Sequence, residues 1–114
     1  MRVRWRDGNL SQMSQYAVAW RDEGGPVQTG RLDVEAWAVR IEGGRHRSGR
    51  LAVTRVLYRD LLEVAMASME KRVQARPTIE LRGRHGSIYV APVGAGVARE
   101  LLGTLQPHLH AGAS

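Results

Sequence analysis

The segment RIEGGRHRSGR, residues 40–50, holds the densest group of side chains that could bind an anion. Its four arginines, Arg40, Arg45, Arg47 and Arg50, carry forked N–H donors that match the oxygen atoms of a phosphate or a carboxylate. The glycines between them would let backbone N–H groups approach the same ligand. The segment is therefore a candidate anion-binding loop. The alternative is a polar, glycine-rich hairpin tip that contacts only solvent.

The expected strength of binding favours the hairpin tip. Each basic residue close to an anionic membrane contributes about 1 kcal/mol. Four arginines would then contribute about 4 kcal/mol, which corresponds to a dissociation constant of roughly 1 mM. We therefore expect the loop to act alone only as a weak tether.

The other chemistry-bearing motifs predict no catalytic, cofactor-binding or metal-binding residue. The GAG at 94–96 precedes a predicted helix, but Arg99 stands where a dinucleotide-binding motif has its third glycine. His108 and His110 form a pair, whereas metal sites need three or four converging ligands. The chain has no cysteine and no G-x-S-x-G motif. We expect a protein that is not an enzyme and needs no cofactor.

The composition is that of one soluble domain. The chain has 114 residues, of which 43% are hydrophobic and 25% charged. No apolar run approaches the roughly 20 residues of a membrane-spanning helix, and the first 15 residues lack the apolar core of a signal peptide. The lack of cysteine fits a reducing compartment. We expect a cytoplasmic protein, with a peripheral position at the membrane as an option.

The charge balance bears on the partner. The net charge is +6, and Lys71 is the only lysine among the 17 basic residues. Such a chain favours anionic partners, either a membrane surface or a nucleic acid.

A period of two in the apolar residues predicts a succession of β-strands. The segments that show it are YAVAW, VQTGRLDVE, WAVRIEGG, LAVTRVLY, TIELRG and SIYVAP. Between the second and third segments the phase shifts at Ala36, which predicts a tight turn or a bulge. After this shift Trp37, Val39 and Ile41 share one face. The last two segments flank a short RHG connector and should form a hairpin.

The C-terminal segment predicts an amphipathic helix that closes the domain. Val97, Leu101 and Leu105 recur at a spacing of four, so one apolar stripe faces a core. Gly103 and Pro107 weaken the second half of this helix. We expect residues 1–15 to form a flexible arm, 16–109 a single domain, and 110–114 a disordered tail.

Residues 60–76 allow two interpretations. Leu62, Met66, Met69 and Val73 have helical spacing, and Pro77 would end such a helix. The alternative is one turn at 60–63 followed by a strand centred on 64–67. Local propensity favours the helix, but tertiary contacts often override propensity.

The order of these segments resembles a bacterial pleckstrin-homology-like (PH-like) domain. The resemblance covers roughly residues 27–106 and rests on the segments TGRLDVEAWAVRIEGG, RVLYRDLLEV, RPTIELRGRHGSIYVAP and GAGVARELLGTL. It implies a mainly β fold: a partly open barrel of two near-orthogonal antiparallel sheets, with six to seven strands, capped by a C-terminal α-helix. It also selects the bend and strand, rather than the helix, for 60–76.

The resemblance implies a non-enzymatic binding or adaptor module. Its expected partner is another protein or a second copy of the chain, with weak attraction to anionic lipid surfaces. The alternative is an arginine-driven protein that binds nucleic acid without sequence specificity. In that case exposed aromatic residues would stack on the bases. The aromatic residues are Trp5, Tyr16, Trp20, Trp37, Tyr58 and Tyr89, and in a small barrel they more often fill the core.

Overall fold

The computed structural model describes residues 14–45 and 51–113. In these ranges the chain forms seven strands, followed by one α-helix. The strands are β1 Ser14–Asp22, β2 Gln28–Val34, β3 Ala38–Arg45, β4 Leu51–Leu57, β5 Leu61–Met66, β6 Ile79–Gly83 and β7 Gly86–Pro92. The helix is α1 Val97–Ala113, and short 3₁₀ turns lie at Tyr58–Asp60, Met69–Lys71 and Val73–Ala75.

The seven strands form one antiparallel sheet in the order β4-β3-β2-β1-β7-β6-β5. The long central strand β1 joins its two halves, because it pairs with β2 from Ser14 to Trp20 and with β7 from Val18 to Asp22. The sheet curls into a half-barrel against which the C-terminal helix packs. The predicted fold class, a mainly β, partly open barrel capped by a C-terminal helix, is confirmed.

The core lies between the inner face of the curled sheet and α1. Alternate residues of the strands enter it, as the period of two predicts. Its largest fully buried members are Leu32, Val39, Ile41, Ile79, Leu81, Val90, Leu101 and Leu105. The two leucines from α1 lie one turn apart on the stripe that the spacing of four predicts. Helix and sheet therefore bury one common apolar surface, which is the main source of their stability.

Trp37 departs from the predicted pattern. Its side chain is 83% exposed, although it shares the sequence phase of the buried Val39 and Ile41. The reason is that β3 begins only at Ala38, and Trp37 belongs to the turn at 35–37 that joins β2 to β3. The predicted turn at the phase shift is present, but the prediction that Trp37 shares the face of Val39 and Ile41 is wrong.

Residues 60–76 form a bend and a strand, not a long helix. The turn at Tyr58–Asp60 comes two residues earlier than predicted, and β5 then pairs with β6. Leu62, which the helical interpretation places on an apolar stripe, is 56% exposed. Pairing with β6 and burial of Leu61 and Val64 outweigh the local helical preference.

The described strands and helix extend beyond the predicted domain limits at both ends. Strand β1 starts at Ser14, and α1 continues to Ala113, so residues 110–113 are helical although the sequence predicts a disordered tail. Contacts of the preceding turn account for this: Leu109 packs against the core, and the His108 ring stacks on Tyr58 at 4.3 Å. Residues 1–13 of the predicted arm lie outside the described residues.

A glycine pair sets the contact between β2 and β3. Gly30 and Gly43 are direct partners in the register. A Cβ atom at Gly30 would collide with Glu42 O and would lie 2.6 Å from Gly43 Cα. Both obstacles are backbone atoms of a paired strand, which cannot move aside as a flexible side chain can. At Gly43, a Cβ atom would lie 2.9 Å from Nε1 of the buried Trp20.

We expect Gly30→Ala to lower the free energy of unfolding by about 3 kcal/mol, because the collision forces the two strands apart. Gly103→Ala is the matched control: this helical glycine faces open space, and alanine there should stabilise the protein by up to about 1 kcal/mol. Urea unfolding followed by circular dichroism measures both. Wild-type stability of Gly30→Ala would contradict the observed register.

Candidate functional site

Of the four arginines in the predicted anion-binding loop, the structure describes Arg40 and Arg45. Arg40 is half-buried in β3, and its Nη1 donates to Glu42 Oε2 and, at 3.3 Å, to Asp33 Oδ2. The hydrogen bond to Glu42 raises the pKa of Arg40 further above its ordinary value. Arg45 is the last residue of β3, while residues 46–50, with Arg47 and Arg50, lie outside the described residues. Convergence of the four stays a prediction, and Arg40 is already engaged by two carboxylates.

Arg31 joins the same ion-pair network on β2 and β3. Its Nε lies 3.3 Å from Asp33 Oδ1, and its Nη2 lies 3.6 Å from Glu42 Oε2. Asp33 pairs with both arginines of this network. Its side chain is buried. Two arginines and two carboxylates thus compensate one another, which leaves this face with little capacity to attract a ligand.

A second set of arginines lines a cleft of about 450 Å³ at the beginning of α1. We name it the arginine cleft. Its lining consists of Arg72, Arg76 and Arg99 together with Met66, Pro77, Pro92, Gly94, Ala95, Gly96 and Ala98. The volume falls within the roughly 300–1,000 Å³ of typical ligand pockets. None of these lining residues is acidic, so the lining carries positive charge only.

The connector between β5 and β6 positions two of these arginines. Its Val73 is 1% exposed and packs on Ala19, Tyr89 and Ala91, which face away from the main core. The buried hydroxyl of Thr78 accepts a hydrogen bond from Val73 N–H at 2.9 Å and donates one to Arg76 O at 2.8 Å. These contacts fix the connector to the outer face of the sheet. The fixed residue, Val73, lies between Arg72 and Arg76.

The backbone between these two arginines is strained. Gln74 and Ala75 have φ values of 53° and 58°, in the left-handed region that residues with a side chain rarely adopt. Such residues cost of order 1–3 kcal/mol each and persist only where surrounding contacts impose them. The Val73 and Thr78 contacts supply that constraint. Since neither residue is glycine or asparagine, no sequence signal reveals this conformation.

Tyr58 fixes a second surface feature, the exposed Trp37. Its backbone N–H donates to Trp37 O at 3.1 Å, and its hydroxyl donates to Glu35 O at 2.6 Å. Its ring stacks on His108 of α1 with an interplanar angle of 10°. His108 is partly buried by this contact. Trp37 is thus a large apolar side chain held in solvent by a fixed turn.

The two edge strands of the sheet differ in their surroundings. Strand β5 is packed against α1, whose Gln106 Nε2 donates to Val64 O at 3.4 Å. Strand β4 pairs with β3 on one side, and no strand of the described ranges pairs with its other side. Val53 on β4 is 47% exposed. We name β4 together with Trp37 the β4 edge. Such an edge is a template for an added strand.

Most aromatic residues lie in the interior. Tyr16, Trp20, Tyr58 and Tyr89 are all buried, as expected for barrel core. Trp5 lies outside the described residues.

Nothing in the described helical part of the chain is long and apolar enough to cross a membrane. In the same ranges no group of three or more metal-ligating side chains occurs.

Comparison with known proteins supports the fold. The chain matches no protein-family model and no curated protein. It is similar to the crystal structure of the C-terminal domain of an unknown protein from Leishmania infantum, with a TM-score of 0.60 and 14% sequence identity. The match covers 81% of this chain and 80% of that one. At this identity the two chains share a fold, and no shared function follows.

We expect Thr78→Val to lower the free energy of unfolding by about 2–3 kcal/mol, because it removes the acceptor of the buried Val73 N–H and the donor to the partly buried Arg76 carbonyl. Thr78→Ser keeps the hydroxyl and should cost about 1 kcal/mol. Urea denaturation of both variants measures the difference. Equal losses would show that the hydroxyl does not fix the connector.

We expect one tyrosine to titrate unusually late. Burial, and next the Glu35 carboxylate, raise the pKa of Tyr58 to about 12. An unfolded tyrosine ionises near 10, so the stability that the neutral hydroxyl contributes is complete below about pH 10 and is lost as the pH rises from there toward 12. Tyr58→Phe should remove the latest step of the tyrosinate absorbance titration. An unchanged titration in this variant would contradict the assignment.

Proposed function

We propose that the chain is a PH-like binding module that captures an extended acidic segment of a protein partner at the β4 edge. The observation that carries this proposal is the edge strand β4, unpaired on its outer side within the described ranges, next to the exposed Trp37. In this mode the partner's backbone pairs with the edge strand, and alternate side chains provide specificity. The seven-stranded barrel with its C-terminal helix supports the PH-like assignment.

The side chains along the edge suit such a peptide. Val53 and Arg55 are both exposed and, two residues apart, lie on the same face of β4. Trp37 directly precedes Ala38, the register partner of Leu57, so its backbone lies beside the C-terminal end of β4. Tryptophan and arginine are the residue types that most often dominate binding energy at interfaces. The edge therefore offers an aromatic residue and an apolar contact. The Arg55 guanidinium is paired with Glu35, with its Nε 3.2 Å from Glu35 Oε1, so an acidic peptide would compete with that carboxylate.

The charge favours a different protein over a second copy. The chain carries a net charge of +6. In the sequence, Arg45, Arg47 and Arg50 come just before β4, which begins at Leu51. A second copy carries the same net charge of +6, so self-association would bring two basic chains together, which like-charge repulsion disfavours. An acidic segment would instead be attracted. A partner with alternating apolar and acidic residues is therefore the best fit.

The nucleic-acid hypothesis receives less support. Base stacking requires aromatic faces in solvent beside basic residues. Four of the five aromatic residues in the described ranges are buried, and Trp37 is the one exposed. One indole at a turn does not form a row of stacking positions along a strand of nucleic acid.

A display library of random peptides, selected against the full chain, tests the proposed function. We expect the recovered peptides to be extended and acidic, and to protect the amides of β4 from hydrogen exchange. Trp37→Ala should weaken binding of the recovered peptide at least tenfold, because an aromatic residue that dominates an interface contributes about 2 kcal/mol or more. Leu62→Ala is the matched control, since Leu62 is an exposed apolar residue of the other edge strand.

Two outcomes would contradict the proposal. The first is protection that maps to β5 or α1 rather than to β4. The second is an equal loss of affinity in Trp37→Ala and Leu62→Ala. Light scattering over a concentration series provides a separate check, because concentration-dependent dimers that Trp37→Ala abolishes would identify the occupant as a second copy.

A further inference from the structure

We propose that the arginine cleft is a binding site for a phosphoryl group. It is formed by residues on the β5–β6 connector, the end of β7 and the beginning of α1. None of these residues belongs to the β4 edge, so this inference goes beyond the proposed function and does not depend on it.

The first support is uncompensated positive charge. Within the described ranges, ion pairs shorter than 4 Å engage Arg31, Arg40, Arg55 and Arg82, and none engages the three arginines of the cleft. Nε of Arg72 and Nε of Arg76 are shielded from solvent and have no acceptor among the residues that the structure describes. The one hydrogen bond of these guanidinium groups within the described ranges runs from Arg76 Nη2 to the neutral Gln74 Oε1, at 2.8 Å. Buried donors without acceptors are costly, and a nearby anion offsets that cost.

The second support is the N-terminus of α1, which borders the same cleft. The residue before the helix is Gly96, which has no side chain to accept from the N–H groups of the first turn. The first intrahelical hydrogen bond runs from Glu100 N–H to Gly96 O at 3.2 Å. The N–H groups of Ala98 and Arg99, which come earlier in the helix, therefore have no acceptor within the helix. Both residues line the cleft. The positive end of the dipole of this 17-residue helix therefore borders the cleft that the three arginines line.

The chemistry of the lining selects the phosphoryl group. A tetrahedral phosphate accepts hydrogen bonds from several directions, which suits three guanidinium groups from two separate segments and the helix amides. The rest of the lining includes Met66, Pro77, Pro92 and Ala98, which are apolar. A cleft of about 450 Å³ has room beyond the anion, and the apolar residues suit an organic group attached to it. A small phosphate ester and a phospholipid headgroup share this chemistry.

The strained connector supports a binding role as well. Gln74 and Ala75 lie between two of the arginines, and strained residues of this kind cluster at sites where a ligand is clamped. Because the Val73 and Thr78 contacts fix the segment in advance, the arginines lose less conformational freedom on binding.

Titration of the isotope-labelled full chain with pyrophosphate, followed by amide NMR, tests the site. We expect saturable shifts at Gly94, Gly96 and Ala98 and along the connector. Arg72→Gln/Arg99→Gln should weaken binding about 100-fold, because each charged hydrogen bond that is lost contributes about a factor of ten or more. The charge-matched control is Arg59→Gln/Arg84→Gln, which removes two exposed arginines outside the cleft and should change affinity less than about threefold.

Sedimentation with vesicles identifies the source of the phosphoryl group. Binding to phosphatidylcholine vesicles that contain phosphatidic acid, lost in Arg72→Gln/Arg99→Gln and kept in the control variant, would assign a lipid headgroup. Pyrophosphate binding without vesicle binding would assign a soluble phosphate ester. Absence of saturable pyrophosphate binding, or an equal loss in the two double variants with both amide spectra folded, would overturn the proposal.

Discussion

A three-residue connection imposes the shape of the whole sheet. Strands β4 and β5 are consecutive in the chain but lie at opposite ends of the strand order. In a flat sheet of seven strands, six spacings of about 4.8 Å would separate them by about 29 Å. The turn at Tyr58–Asp60 has three residues, which reach about 10 Å when extended. The sheet must therefore curl until its two edges meet at this turn.

Curling brings the edges together at one corner, and α1 covers part of what remains open. Leu101 and Leu105 are fully buried against the sheet, and the helix also packs on β5 and on the turn itself. Tyr58 links these parts, because its ring contacts His108 while its hydroxyl and N–H bind the β2–β3 turn. The same side chain thus fixes the corner of the barrel, the second half of the helix and the position of Trp37.

The sequence predicts the strands and the helix, because burial of one face gives their apolar residues a regular spacing. The period of two in β2 and the spacing of four from Val97 to Leu105 both reflect one buried face, so the strands and the helix could be placed. Trp37 continues the apolar phase of β3, and only the position of the turn explains its exposure. Residues 60–76 fit two periods, and the choice depended on the resemblance to a family rather than on local preference.

The arginine cleft could not be predicted from the sequence, because its lining residues come from separate segments that only the fold places side by side. Arg72 and Arg76 line the same cleft as Arg99 because the connector folds over the outer face of β1 and β7. That path depends on the left-handed backbone at Gln74 and Ala75, and these residue types carry no signal for it. By contrast, the arginines that are dense in the sequence, near residue 40, include one that two carboxylates already engage.

The two proposed surfaces lie at different ends of one helix. Gly96 borders the arginine cleft, whereas His108 contacts Tyr58 and thereby the turn that carries Trp37. Twelve residues of α-helix separate these positions by about 18 Å. Substitutions more than about 10 Å apart without shared partners usually have additive effects. Coupling between the two surfaces would require the helix to move, and the complete burial of Leu101 and Leu105 between them opposes such movement. The two proposals can therefore be tested independently of each other.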